Sequence, residues 1–460
     1  AAGGPLVFCD QQTGGERMST MMELIEEVWF LARELVSDDY DKALFRLAEE
    51  VPMTIHEYPT GTQVWTWKVP EKWTCHEAYL ETLDGRRLID RADHPLHVVS
   101  YSLPFEGVVG RDELMNHLHV HPRQPDLIPF VFKYYQRDWG LCTTQEVRDL
   151  LDEDEYRVVI RTTFEPGMLK VGEVVVPGEV EESFVMAAHL CHPAMVNDDL
   201  TGVVVGLDAF RALLDGPRPH YTYRLLILPE TIGSVCYLSH NEALIPKMAG
   251  GLFLEMLGND SVLALQQSFQ PESQADKVLV SALKGFSPDA YVGPYRSIIN
   301  NDERQFNAPG VRVPMLSLSR VEQRAQNETI SPPYPEYHSS GDTPAIVSQG
   351  RLEAARDAVL AMVAAFDQNA YVVNHFKGEV FASGYGIWID YRVNPEGHHN
   401  LFRIMERCDG TRTVADIAVE LGISFQAVRE ILNTFAAKGL VSFSPTPQPT
   451  DPHLQSGGGA

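Results

Sequence analysis

The feature that most constrains this chain is a series of short, unbroken apolar runs between residues 155 and 320, most of them closed by a polar cluster. The runs are "YRVVIRTTF", "SFVMAAHL", "YTYRLLILPE", "GGLFLEMLG" and "VPMLSLS". Each has strand length, and continuous rather than alternating hydrophobicity is what strands covered on both faces require. Helical text lies among them. In "LTGVVVGLDAFRALLD", Val203, Val204, Leu207, Phe210 and Leu214 recur at helical spacing, and "QGRLEAARDAVLAMVAAFDQ" predicts a long closing helix. The fold class this implies is α/β, with a mixed, mostly parallel sheet flanked by helices. Ligands of such sheets gather at the carboxyl ends of the strands. The polar clusters "HLCHP" with "NDD", "LPETIG" and "LEMLGND" fall at those ends, and "EYHSSGDT" follows the last run.

The rest of the chain divides by texture. Residues 19–50 read as two amphipathic helices broken at "SDDY", and helix-like text returns near 111–150. Residues 53–110 are rich in β-branched and aromatic residues with turn signals at "PTGT" and "LDGRR", as in a small all-β domain inserted into the α/β domain of 19–52 and 111–375. Residues 380–445 predict three short helices and a strand with helix–turn–helix rhythm, Gly422 standing at the turn. The Pro/Gly/Ser-rich end, 446–460, reads as a disordered tail.

Charge and cysteine use narrow the function classes. Sixty-three acidic against 37 basic residues give −26, which disfavours nucleic acid or an anionic membrane as partner. The last unit is no exception, since residues 391–442 hold six Lys/Arg and six Asp/Glu; a DNA reader carries a basic face. That unit therefore reads as a peptide-binding or dimerisation module, and it or the β domain would carry any homo-oligomer. The longest apolar runs are too short for a membrane span. The N-terminal text has no basic n-region, and Met18 is a plausible working start. Six scattered cysteines without framework spacing fit a reducing cytoplasm.

The polar clusters offer His, Cys, Asp and Glu, the metal-ligand types, and a catalytic zinc needs such ligands with one position left for water. A lone His–x–x–His is more often structural, and a lone Glu after a strand is usually a cap. The combination at one sheet edge is harder to dismiss.

In combination these motifs resemble the M28-type zinc aminopeptidases. Asp198-Asp199-Leu200-Thr201-Gly202 and Tyr337-His338-Ser339-Ser340-Gly341-Asp342-Thr343 match two of that family's motifs, and "NDERQFNAPGVRVP" looks like its pocket-framing segment. More narrowly, "CHPAMVNDDLTG", "PETIGS", "DERQFNAPG" and "EYHSSGD" are similar to a bacterial aminopeptidase-like branch with an inserted β domain and a C-terminal winged helix. The resemblance implies a zinc-exopeptidase-like sheet. It implies a metal held by Asp198 and His338 with His192 or His189, Cys191 filling the place of a family Asp. Asp199 reads as a helix-start charge. The family's adjacent Glu pair is reduced to Glu230, which serves as base or ligand, and its second-metal Asp falls at Glu255. One firmly bound zinc is therefore expected, with two as the family alternative.

A zinc-activated water, with Glu230 moving its proton to the leaving amine, is sufficient for amide hydrolysis. The expected substrate is a peptide or an aminoacylated small molecule that loses an N-terminal residue. Glu255, Asp302 and Asp260 are the acids available to hold its ammonium. Arg304 would hold a carboxylate or the oxyanion, or simply pair with Asp302 or Glu303; Tyr337 would donate to the oxyanion, or pack. Two other readings stay open: a glutaminyl-cyclase-like transferase with one zinc and a Trp-lined pocket, and an inactive peptide-binding or regulatory protein.

Overall fold

The structure, a computed structural model, describes residues 6–8, 19–322 and 332–451. Its centre is a mixed sheet whose strands are β1 Leu6–Phe8, β2 Met53–Pro59, β3 Met168–Val176, β4 Ser183–His189, β5 Thr222–Leu228, β6 Met248–Leu254, β7 Leu263–Gln266, β8 Tyr291–Gly293 and β9 Met315–Arg320. Their order is β1-β2-β3-β5-β4-β6-β9-β7-β8. The middle pairs β5/β4, β4/β6 and β6/β9 are parallel, and antiparallel strands flank them. Every residue of β4 is buried, as are all of β9 and all but one of β5 and of β6. This is the two-sided burial that continuous apolar text requires. Four helices cover this region: α1 Leu200–Asp215, α2 Ile232–His240, α3 Gln274–Phe286 and α4 Gln349–Asp367. α1 joins β4 to β5, so the parallel core is a set of strand–helix–strand crossovers. Among the described residues no helix is long and apolar enough to cross a membrane.

The segments around this core differ from expectation in three places. Residues 53–59, expected in the β module, are a strand of the large sheet paired to β3. The separate four-stranded sheet consists of Lys72–Glu81, Arg87–Asp90, Phe105–Gly110 and Glu155–Glu165. The "YRVVIRTTF" run thus belongs to that sheet and not to the central one, because strand text does not say which partner it will pair with. Between 111 and 150 the helices are only Arg111–His117 and Gln145–Asp149; Pro122, Pro125, Pro129 and Gly140 break the rest.

Beyond α4 the chain forms helices Pro395–Met405, Val414–Leu421 and Phe425–Ala437 and an antiparallel pair, Tyr371–Asn374 with Val441–Ser444. Gly422 takes the left-handed conformation that ends the second helix, at φ 70°. This unit is fixed to α3 by Lys277 Nζ, 3.0 Å from Asp416, and by Thr413 Oγ1, which donates to Gln274 at 3.0 Å. Residues 446–451, expected in a disordered tail, include residues hydrogen-bonded to this unit. Gln448 N–H donates to Gly410 O at 2.8 Å and Thr450 N–H to Asp409 O at 2.9 Å. Residues 452–460 lie outside the described residues.

Candidate metal centre

β4 delivers His189 at its last position, and the loop that follows, residues 190–199, is buried throughout. A buried loop must find partners for its backbone, and two side chains from elsewhere supply them. Arg33, itself fully buried, donates to Leu190 O at 2.9 Å and to Met195 O at 2.7 Å while also binding Val28 O and Trp29 O. The Asp342 carboxylate accepts the N–H groups of Val196, Asn197 and Asp198 at 3.3, 2.7 and 3.0 Å, and Tyr334 OH donates to it at 2.7 Å. Asp199 caps α1 through Gly202 N–H at 3.1 Å and also accepts Met256 N–H at 3.0 Å, tying the ends of β4 and β6 together. A Cβ at Gly202 would collide with Leu254 O and the Asp199 carboxylate, which explains the glycine of the "DDLTG" motif.

Held this way, Asp198 becomes the meeting point of three imidazoles. His338 Nε2 lies 3.0 Å from its Oδ2, His192 Nε2 3.8 Å from the same oxygen, and His189 Nε2 3.1 Å from Oδ1. The donor atoms of His192, Asp198 and His338 all lie within 4.8 Å of one another, as do those of His189, Cys191 and His192. Close as these approaches are, among the described residues Asp198 Oδ2 and both ring nitrogens of His189 are buried without a partner in hydrogen-bond geometry. Burial opposes ionisation of Asp198, but His192, His189 and His338 outweigh it and hold the carboxyl well below its usual range. Burial likewise keeps His192 neutral, against the pull of Asp198. His189 is raised well above the usual imidazole value because Asp198 and Cys191 outweigh its burial. An ionised carboxylate beside a neutral imidazole is the state in which these groups bind a cation. The donor set fits zinc.

Glu230 follows the end of β5 and is presented on a strained turn, Thr231 having φ 64°. Its N–H donates to Cys191 Sγ at 3.1 Å, so the cysteine supports the Glu230 backbone. Glu230 Oε2 lies 3.8 Å from His192 Nε2 and Oε1 3.7 Å from Arg304 Nη2, and the side chain is 29% exposed. Arg304 donates to Thr231 Oγ1 at 2.7 Å. The expected alternative, an ion pair of Arg304 with Asp302 or Glu303, does not form. Asp302 accepts Thr231 N–H at 2.8 Å and Ser234 Oγ at 2.5 Å, and Glu303 accepts Asn301 N–H at 2.8 Å and Gln266 Nε2 at 3.2 Å.

The acids expected to bind a substrate ammonium are placed otherwise. Glu255 is fully buried, with Ser317 Oγ donating at 2.7 Å and Asn301 Nδ2 at 3.0 Å. Burial, with Glu303 and Asp199 nearby, pushes its carboxyl well above the usual range. Asp302 is equally buried, and burial with Glu230 nearby pushes it up to about 6. Both support the site from behind. Asp260 is 92% exposed and paired to Arg351 at 3.0 Å. Tyr337 stacks on His338, centroids 3.9 Å apart, fixing the ring of a residue whose own φ is 55°. Phe130 lies 5.1 Å from the His192 ring and 5.4 Å from that of His338, and its N–H donates to His338 O at 2.8 Å.

Sequence reading missed Arg33, Phe130 and the role of Asp342. Only Arg33 carried a signal: a lone arginine in "WFLAREL", where an apolar face was expected.

Residues 22–369, most of the chain and all of this site, match a family model described as a domain of unknown function, DUF4910. The chain belongs to the DUF4910 family. The match ends two residues before strand Tyr371–Asn374, so the DUF4910 region and the C-terminal unit meet there. A protein of Clostridium acetobutylicum designated a polysaccharide biosynthesis protein with aminopeptidase-like domain is 31% identical over 425 residues, 91% of this chain and 94% of that one. A crystal structure from the same organism, designated a peptidase, is 29% identical with TM-score 0.81, covering 92% of this chain and 96% of that one. The zinc aminopeptidase of Bacillus subtilis shares the fold at 12% identity and TM-score 0.57, over 76% of this chain and 95% of that one.

Proposed function

We propose that this DUF4910 protein is a zinc-dependent, peptidase-like hydrolase that cleaves an amide bond, releasing an N-terminal residue from a peptide or an aminoacylated small molecule. The observation that carries the reading is the convergence of His192, Asp198 and His338 within 4.8 Å of one another beside Glu230, the partly exposed carboxylate. The relatives' designations as aminopeptidase-like and peptidase support it.

In this reading His192 Nε2, Asp198 and His338 Nε2 hold one metal. His189 faces the other oxygen of Asp198 and supports it, or serves a second ion. A bound zinc would supply Lewis acidity toward the carbonyl and lower the pKa of its water to about 7. Glu230 would take the water's proton on Oε2, the oxygen facing His192, and pass it to the leaving amine. Cys191 and Asp302 fix the turn that aims Glu230 by binding the N–H groups of Glu230 and Thr231. Arg304 Nη2 stands 3.7 Å from the opposite oxygen, Oε1. Tyr337, packed on His338, holds that ligand's ring plane.

The test is metal analysis of purified protein before and after chelation. The account expects about one tightly held zinc per chain, lost in His338→Ala. A protein that purifies without metal and takes none up would favour a binding or regulatory role.

A further inference from the structure

We infer that Arg304 is an oxyanion receptor at the mouth of this site, so that the substrate carries a carboxylate or phosphate close to the bond that is cleaved. The inference rests on the hydrolase reading for the position of that bond. Its own evidence is which charged groups reach solvent at the site. The two carboxylates that a cationic substrate end would need, Glu255 and Asp302, are 0% exposed and already hydrogen-bonded. What faces the opening is Glu230 at 29% exposure, His338 at 29% and Arg304 at 33%. Arg304 is therefore the cation of this group that can meet solvent.

The guanidinium is aimed but not used up. Nη2 is fixed by the Thr231 hydroxyl at 2.7 Å, and its 3.7 Å separation from Glu230 Oε1 exceeds hydrogen-bond length. Its sequence neighbours Asp302 and Glu303 are turned to other partners. Among the described residues the other guanidinium N–H groups have no hydrogen-bond partner. A planar fork with free donors, anchored at one corner, is the shape that binds a carboxylate or phosphate through two parallel hydrogen bonds. The net charge of −26 opposes anions at long range, so any preference for an oxyanion is local to this one fixed arginine beside the base. The substrate class that follows is an acidic small molecule bearing an acyl-amide bond, in preference to a long neutral polypeptide.

The experiment compares N-acetylglycine with its neutral analogue N-acetylglycinamide, and inorganic phosphate with no addition, by calorimetric titration of the zinc-loaded full chain. Wild type is expected to bind the acid about tenfold or more tighter than the amide, the size of one charge-assisted pair. Arg304→Gln loses that preference and its phosphate binding, and Arg304→Lys retains part of both. An acid that binds no tighter than the amide in wild type, or a preference that survives Arg304→Gln, overturns the inference. No turnover is needed, so the outcomes separate. An Arg304-dependent preference in a protein that hydrolyses nothing would sink the hydrolase reading alone, while hydrolysis without the preference would sink the receptor alone.

Discussion

His338 Nε2 stands 3.0 Å from Asp198 Oδ2, joining a loop beyond the last strand of the sheet to the loop that opens its first parallel crossover. His192 Nε2 lies 3.8 Å from the same oxygen. The His192, Asp198 and His338 group takes its ligands from both loops. If both histidines and the shared carboxylate hold the metal, His338→Ala and Asp198→Asn should each weaken zinc binding by more than the roughly 10–100-fold typical of supporting residues. Competition against a chromophoric chelator measures this, and unchanged affinity in either variant would remove that residue from the ligand set.

Arg33 should matter to the metal although it touches none of the ligand side chains. Its contacts to Leu190 O and Met195 O bracket His192. Arg33→Lys keeps the charge but not the fork. It should cost about 2–3 kcal/mol of stability from lost charged hydrogen bonds and about tenfold or more in zinc affinity. Urea unfolding and the same chelator competition give the two numbers; a stability loss with unaltered zinc affinity would show that the loop is set by Asp342 alone.

Glu34 gives a pH signature away from the metal. It is buried, one oxygen accepts Ser100 Oγ at 2.7 Å, and the other has no partner. Burial raises its carboxyl from 4.5 to about 7. The folded state therefore binds the proton more tightly than the unfolded one, so stability declines as pH rises from 4.5 and levels off above about 7. The cost of the charged form at pH 8 is on the order of 3 kcal/mol. Glu34→Gln should be more stable than wild type at pH 8 and lose that advantage at pH 5, read as thermal midpoints at both values.

Glu173 has the opposite sign. Burial alone would raise it, but His56 at 2.8 Å, the Tyr237 hydroxyl at 2.7 Å and Arg224 at 2.7 Å outweigh that and hold it at about 2. Its stabilisation is present above 4.5 and is lost as pH falls toward 2. Glu173→Gln should lower stability at pH 7 by about 2–4 kcal/mol, with the difference from wild type shrinking at pH 3.

The parallel core was legible because its strands are buried on both faces and therefore unbroken in hydrophobicity, as β4 and β9 are. The site was legible for a related reason: polar residues that end such strands have few places to be except the sheet edge, and His189, Glu230 and Glu255 all fall there. Exposure and orientation were not. Glu255 and Glu230 both follow a strand end, yet one is sealed by Ser317 and Asn301 while the other opens to solvent, and only packing decides which. The small sheet was read only in part, since three of its strands lie in the expected β segment and the fourth does not. Glu155–Glu165 pairs with Lys72–Glu81 and Phe105–Gly110 across a long stretch of chain, and strand propensity carries no partner information.

The most direct test of the account is amino-acid release from a mixed peptide and aminoacyl-conjugate library by the zinc-loaded protein, with Glu230→Gln assayed in parallel at equal zinc content. The account predicts release by wild type that falls at least about a hundredfold in Glu230→Gln. Release that persists in the variant, or pyroglutamate formation in place of hydrolysis, would contradict it.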